Sequence, residues 1–213
     1  MEGVMTGISR VKIMKAVVAQ FQCPRGPLGH VVGWIMANRA SNRERTLWTL
    51  DLLGIEPHHN VLEIGFGPGY AIEQLVLRLR TGKIVGLDHS QVMVEQATQR
   101  NQAAIQTGQV TLHCLPVDAL DTIQVSFERI FSANVAQFWP ERVAVYRAIL
   151  RHLKPGGCVA TTYLPRHANA TDADAIAFGQ QLLTDMQTAG FTQVELKEGP
   201  RLPILTISAI GYA

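Results

Sequence analysis

Glu63 stands two residues before Gly65, and glycine recurs at Gly67 and Gly69. Val61, Leu62 and Ile64 form an apolar run up to this point, and Ala71, Ile72, Leu75, Val76 and Leu79 follow it at helical spacing. The pattern predicts a strand, a tight glycine turn and a helix. Glycine there permits positive φ and lets a ligand lie directly on main chain. The helix that follows offers free N–H groups and a partial positive charge to a polar or anionic ligand. Asp88, in the string GLDHS at 86–90, closes the next apolar run. It falls about 20 residues past the glycine turn, the interval expected of an acid that accepts hydrogen bonds from ribose hydroxyls. The competing reading makes it a cap for the helix beginning near Ser90. A dinucleotide fingerprint has its third glycine three residues after the second; here the spacing is two, so the register differs.

The elements that must hold these residues alternate. Strands are predicted at 60–64, 83–87, 110–114, 128–132 and 157–163, and helices at 68–80, 90–106, 140–153 and 172–189. Two more strands, at 192–197 and 204–210, follow one another without a helix. Such alternation makes an α/β fold with a mostly parallel sheet, helices on both faces and an antiparallel hairpin strand at the C-terminal end. Residues 1–58 read as helical (8–21, 27–39 and 42–53) and form an N-terminal cap within the same domain as the 59–213 core. Ser41-x-x-Glu44 fits a capping box for the third of these helices, with Gly54 at its C-cap and Pro57 beyond.

Composition bounds the rest. A chain of 213 residues, 47% hydrophobic and 17% charged, suits one globular domain with a substantial core. Cys23, Cys114 and Cys158 show no metal spacing and read as small apolar residues of a reduced, cytoplasmic protein. No metal site is expected. No run approaches the roughly 20 apolar residues of a membrane span. Residues 1–50 carry seven basic groups against Glu2 and Glu44, while the remainder is slightly acidic. That basic segment is either a solvated helix face or an attraction for an anionic acceptor, a lipid surface or nucleic acid.

The string Glu-x-Gly-x-Gly-x-Gly closely resembles the first motif of class I S-adenosylmethionine (SAM)-dependent methyltransferases, and the resemblance runs from residue 60 to the C-terminus. It implies a Rossmann-like, doubly wound sheet and SAM as cofactor, with S-adenosylhomocysteine (SAH) as product. By that resemblance Gly65, Gly67 and Gly69 hold the amino-acid end of SAM. Glu63 meets its amino group through water or steadies the loop. Asp88 takes the ribose and His89 walls the adenosine. In PVDA at 116–119, Asp118 accepts from the adenine amino group and the N–H of Ala119 reaches the ring. Asn134, at the end of ERIFSAN, lies where the family's fourth strand faces the methionine part and the acceptor. Several relatives carry an aspartate early in that strand; Glu128 is the nearest acid here. LKPGG at 153–157 resembles the family's turn before strand five, a structural element.

Methyl transfer is an in-line displacement, so alignment is the main task; holding reactants at about 3–3.5 Å can lower a barrier by roughly 7–11 kcal/mol. No catalytic residue is assigned. Candidates for the acceptor pocket are His30, Trp34 and Asn38 on one helical stripe, Asn42 near the next helix, Gln137 after strand four, and Tyr163 and His167 after strand five. Asn42, like Arg39, also stands where it can meet the cofactor's carboxylate. The absence of an Asn/Asp-Pro-Pro-Tyr-type string, of CxxC pairs and of an RNA-binding module favours a small molecule or lipid headgroup as acceptor. Two alternatives stay open: a SAM- or nucleotide-binding protein without turnover, and an RNA methyltransferase using the basic segment.

Overall fold

The computed structural model describes residues 40–213. The expected helices at 8–21 and 27–39, with His30, Trp34, Asn38, Arg39 and Cys23, lie outside the described residues. Seven strands make one sheet: β1 (Val61–Ile64), β2 (Ile84–Asp88), β3 (Val110–Cys114), β4 (Phe127–Ala133), β5 (Leu153–Tyr163), β6 (Gln193–Arg201) and β7 (Leu205–Tyr212). Their order is β3-β2-β1-β4-β5-β7-β6. The first five run parallel, and β7 lies antiparallel to both β5 and β6. The chain winds outward from β1 to β3 and then returns to β4 on the other side of β1. That reversal opens a crevice at the carboxyl ends of β1 and β4, where open α/β sheets bind ligands.

Helices cover both faces. On one side lie α1 (Ala40–Leu52), α2 (Tyr70–Arg78), α3 (Gln91–Arg100) and α4 (Gln102–Gln106); on the other lie α5 (Arg142–His152) and α6 (Asp172–Ala189). The twofold period of β1 divides its side chains between them. Leu62 and Ile64 join Ile130, Tyr146, Ile149 and Leu182 in one core, whereas Val61 joins Leu50, Ile72 and Leu75 in the other. Glu63 shares the Val61 face, so its carboxylate is sent toward α1.

That helix is unusual in what it buries. Arg45, Thr46, Thr49 and Leu50 form its covered face, so polar groups do much of the docking. Thr49 Oγ1 donates to Thr162 Oγ1 at 2.8 Å, and Thr162 Oγ1 donates to Ser208 Oγ at 3.1 Å. On the outer side, a Cβ built on Gly199 of β6 would fall 2.6 Å from the Trp48 ring, so that indole lies flush on bare backbone.

Three local expectations need correction. The helix expected at 90–106 breaks at Asn101, whose buried side chain donates from Nδ2 to Gly69 O (3.1 Å) and Ala97 O (3.0 Å); such side-chain bonds to main chain compete with helical continuation. LKPGG is not a separate turn: β5 begins at Leu153, and a register shift opposite Phe127–Arg129 absorbs Gly156 at φ +75°. Ser41 is inside α1 and so is no cap; its hydroxyl accepts from Arg166 Nη2 at 3.1 Å. Gly54, at φ +54°, does sit just past the end of α1. Among the described residues no helix is long and apolar enough to cross a membrane.

Candidate functional site

The glycine loop folds as its spacing predicts. Gly65, Gly67 and Gly69 all have positive φ, at +76°, +53° and +78°. Gly65 and Gly67 require glycine for different reasons. A Cβ on Gly65 would fall 2.4 Å from Val135 Cγ2, because the end of β4 presses against the loop. A Cβ on Gly67 would meet nothing within 4 Å. It would project into open space, so at Gly67 the positive φ, and not a protein neighbour, is what favours glycine.

Asp88 ends β2 beside this loop and is 7% exposed. Its Oδ2 accepts from Gly67 N at 2.8 Å and its Oδ1 from Ser90 N at 2.9 Å. One carboxylate thus joins the loop to the start of α3. Ser90 is the N-cap residue but makes no side-chain capping bond. Asp88 therefore serves the helix start, as the capping reading expects. Burial raises its pKa, while the Ser90 and Gly67 amides pull it back down. His89 is exposed, its Nδ1 3.9 Å from Asp88 Oδ1. Cys114, paired with Asp88 in the β2–β3 register, is exposed and not a core residue; among the described cysteines only Cys158 is buried.

Asp118 and Ala119 lie in a 3-10 turn, Val117–Thr122, after β3. Asp118 is exposed. The N–H of Ala119, expected to reach an adenine ring, donates instead to Pro116 O at 3.1 Å, as the turn requires. Asn134 follows the end of β4, as its place in the sequence expects. Its side chain clasps Leu164, with Nδ2 donating to Leu164 O at 2.7 Å and Oδ1 accepting from Leu164 N at 2.8 Å. Its φ of +57° is tolerated because asparagine enters the left-handed region more readily than other side chains. Asn134 therefore ties the ends of β4 and β5 together, and its amide is engaged with backbone. Glu128, at the opposite end of β4, accepts from Asn60 N and Lys154 Nζ and is far from the loop in register.

The acceptor candidates scatter. Gln137 donates from Nε2 to Asn134 O at 2.9 Å, and its Oε1 is buried without a hydrogen-bond partner among the described residues. Tyr163 stacks on Phe178 with ring centroids 4.3 Å apart and faces α6, away from α1. His167 is exposed, 3.9 Å from Asp174. Of the acceptor candidates among the described residues, only Asn42 lines the space above the glycine loop.

That space is a cavity of about 80 Å³, walled by Asn42, Arg45, Glu63, Gly67, Tyr70 and Ala133. Arg45 and Glu63 enter it with unmatched atoms: Arg45 Nε and Glu63 Oε2 are buried and have no hydrogen-bond partner among the described residues. Arg45 is 8% exposed and Glu63 5%. Burial raises the Glu63 pKa well above the ordinary range; the charge on Asp88 adds to this and Arg45 opposes it. The Arg45 guanidinium holds its proton less tightly than usual, first because it is buried and next because Arg166 faces it. Buried polar groups without partners are costly, and in a native structure each calls for an explanation. Sequence reasoning missed Arg45. The available signal was an arginine at the i, i+4, i+5, i+8 spacing of Thr49, Leu50 and Leu53, on the face that should be covered.

Residues 61–157 match a family model described as a methyltransferase domain. The chain is 31% identical over 180 residues to an uncharacterized methyltransferase, YdaC, of Bacillus subtilis, covering 84% of this chain and 96% of that protein. It is 25% identical to trans-aconitate 2-methyltransferase of Deinococcus radiodurans, over 74% of this chain and 57% of that longer protein. In solved structures, the N-methyltransferase NodS of Bradyrhizobium japonicum in complex with SAH superposes with a TM-score of 0.64 at 20% identity, covering 84% and 90% of the two chains.

Proposed function

The chain belongs to the class I SAM-dependent methyltransferases, and we propose that it transfers the sulfonium methyl in line to a small-molecule acceptor. The observation that carries the site assignment is the pair of unmatched buried groups, Arg45 and Glu63, over the bare backbone at Gly67. An α-amino acid presents a carboxylate and an ammonium close together. A buried guanidinium and a buried carboxylate of unmet bonding capacity fit that pair of charges. In this reading Arg45, joined by Asn42, takes the carboxylate of the methionyl end. Glu63 takes the amino group, and Asp88 keeps its outward lone pairs for the ribose hydroxyls. Asp118 and His89 border the adenine.

When bound, SAM supplies a methyl group on a positively charged sulfur. The chain's own contribution is alignment. Asn134 locks β4 to the segment after β5, fixing the floor on which an acceptor rests. Gly65 lets Val135 close against the loop and narrow the opening. The charge pair beneath α1 keeps the methionyl end from rotating. Relatives named for trans-aconitate are consistent with a small acceptor.

The test uses the full chain. Calorimetry with SAH establishes the site, and incubation with methyl-labelled SAM and a small-metabolite extract is expected to give labelled soluble product. Label found only in RNA or only in lipid would overturn the acceptor assignment. SAH binding without labelled product of any kind would instead make this a binding protein.

A further inference from the structure

Two guanidinium groups converge on one neutral oxygen at the mouth of the site. Asn42 Oδ1 accepts from Arg45 Nη1 at 3.2 Å and from Arg166 Nη2 at 2.7 Å. Arg45 lies beneath and is buried; Arg166 lies outside and is exposed. Two like charges held this close repel one another, which unbalances the field at the buried one. Arg45 experiences that imbalance: Arg166 disfavours its charged form more than Glu63 favours it. Arg43 adds a third guanidinium on the same helix, 5.3 Å from the centroid of the Tyr70 ring that walls the cavity.

Position separates the two convergent arginines. Arg45 points into the space above the glycine loop. Arg166 arrives from the other side, in the segment that follows β5. Two residues before it, Leu164 is gripped at both its N–H and its carbonyl by Asn134 at the end of β4. On α1 the Arg166 guanidinium also holds Ser41 Oγ at 3.1 Å. Thus α1 holds the side chain, while Asn134 fixes the backbone two residues before it, and Arg166 stands beside Asn42 at the wall of the cavity. Guanidinium presents a planar set of donors that matches the oxygens of a carboxylate or phosphate.

We propose that Arg166, with Arg45 beneath it, selects an acceptor bearing an oxyanion, a carboxylate or a phosphate, and holds that group at the rim of the site. This rests on the methyl-transfer reading above and adds the chemical class of acceptor. Arg45 serves the cofactor; Arg166 serves the acceptor.

The experiment titrates citrate and, separately, inorganic phosphate into the full chain saturated with SAH, with heat as the readout. The parent protein is expected to bind at least one of the two, and the arm that responds identifies the oxyanion. Arg166→Gln is expected to weaken that binding at least fivefold while changing SAH affinity less than twofold. Arg166→Lys, which keeps the charge and loses the fork, should fall between. Ser41→Ala removes one strut from Arg166 and is expected to leave anion binding within twofold of the parent. The proposal is overturned if neither anion binds, if Arg166→Gln weakens SAH as much as the anion, or if Ser41→Ala is as damaging as Arg166→Gln. Failure of SAH itself to bind the parent would strike the methyltransferase site and not the oxyanion assignment.

Discussion

The two halves of the proposed cofactor site are built on opposite terms. Around Asp88 the carboxylate is already engaged: both oxygens hold main-chain amides, at Gly67 and Ser90. Under α1 the reverse holds, where Arg45 and Glu63 are buried with atoms that no described residue satisfies. The first half is tied into the fold. The second is held at a cost to the ligand-free protein, which the proposed function has the cofactor return on binding. Such opposition between stability and function is common where a site must match a charged ligand.

The sharpest way to break this comparison is to remove one carboxylate from the finished half. Asp88→Ala is expected to weaken SAH by about 1.5–3 kcal/mol, the scale of hydrogen bonds to a charged group, and to lower unfolding stability by about 1–3 kcal/mol through two orphaned amides. Calorimetry and urea unfolding measure the two effects, and a loss of only one would dissolve the contrast. Arg45→Met in the other half should show opposite signs. SAH affinity drops by about 1.5–3 kcal/mol, while the ligand-free protein gains about 1 kcal/mol because a poorly matched buried cation gives way to an apolar side chain. Destabilisation of the apo protein by this change would mean that Arg45 is structurally satisfied after all.

A smaller effect sharpens the comparison through pH. Burial and Asp88 raise the Glu63 pKa above the ordinary 4.5, so the folded chain holds that proton more tightly than the unfolded one. The resulting stabilisation is complete below pH 4.5 and disappears as pH rises through the raised value. Glu63→Gln does not titrate. Its stability relative to the parent should therefore climb with pH, and its SAH affinity should fall about tenfold, or about 1.4 kcal/mol, at neutral pH. In the parent, an ammonium arriving beside Glu63 favours its ionised form, so SAH binding should release a proton. Calorimetry in buffers of different ionisation heat detects that proton, and it should vanish in Glu63→Gln. The least change belongs to Asp118, which is exposed. Asp118→Asn should weaken SAH by about 0.5–1.5 kcal/mol and leave thermal unfolding where it was.

The same division governs what could be read from sequence. Gly65, Gly67, Gly69 and Asp88 announce themselves because local geometry demands them: a turn with positive φ, and an acid at the end of a strand. Strand and helix positions in the core follow from period-two and helical apolar spacing for the same reason. Arg45 and Arg166 are 121 positions apart in the chain and acquire meaning only when α1 lies across β4 and β5. No local pattern reports that convergence. Asn134 was legible as a residue at the right edge, but its role as a clasp depended on where Leu164 would pass. The break at Asn101 was hidden because the helical apolar pattern continues across it, while the side-chain contact with Gly69 is tertiary.

Trp48 gives this arrangement an optical consequence. It lies three residues beyond Arg45 on α1, with its indole flush against Gly199 of the outermost strand. A small tilt of α1 as its arginine engages a ligand would lift that ring from a tight seat into water. Emission from this tryptophan is then expected to shift in wavelength with occupancy, turning the far edge of the sheet into a built-in fluorescent gauge of a site it does not touch.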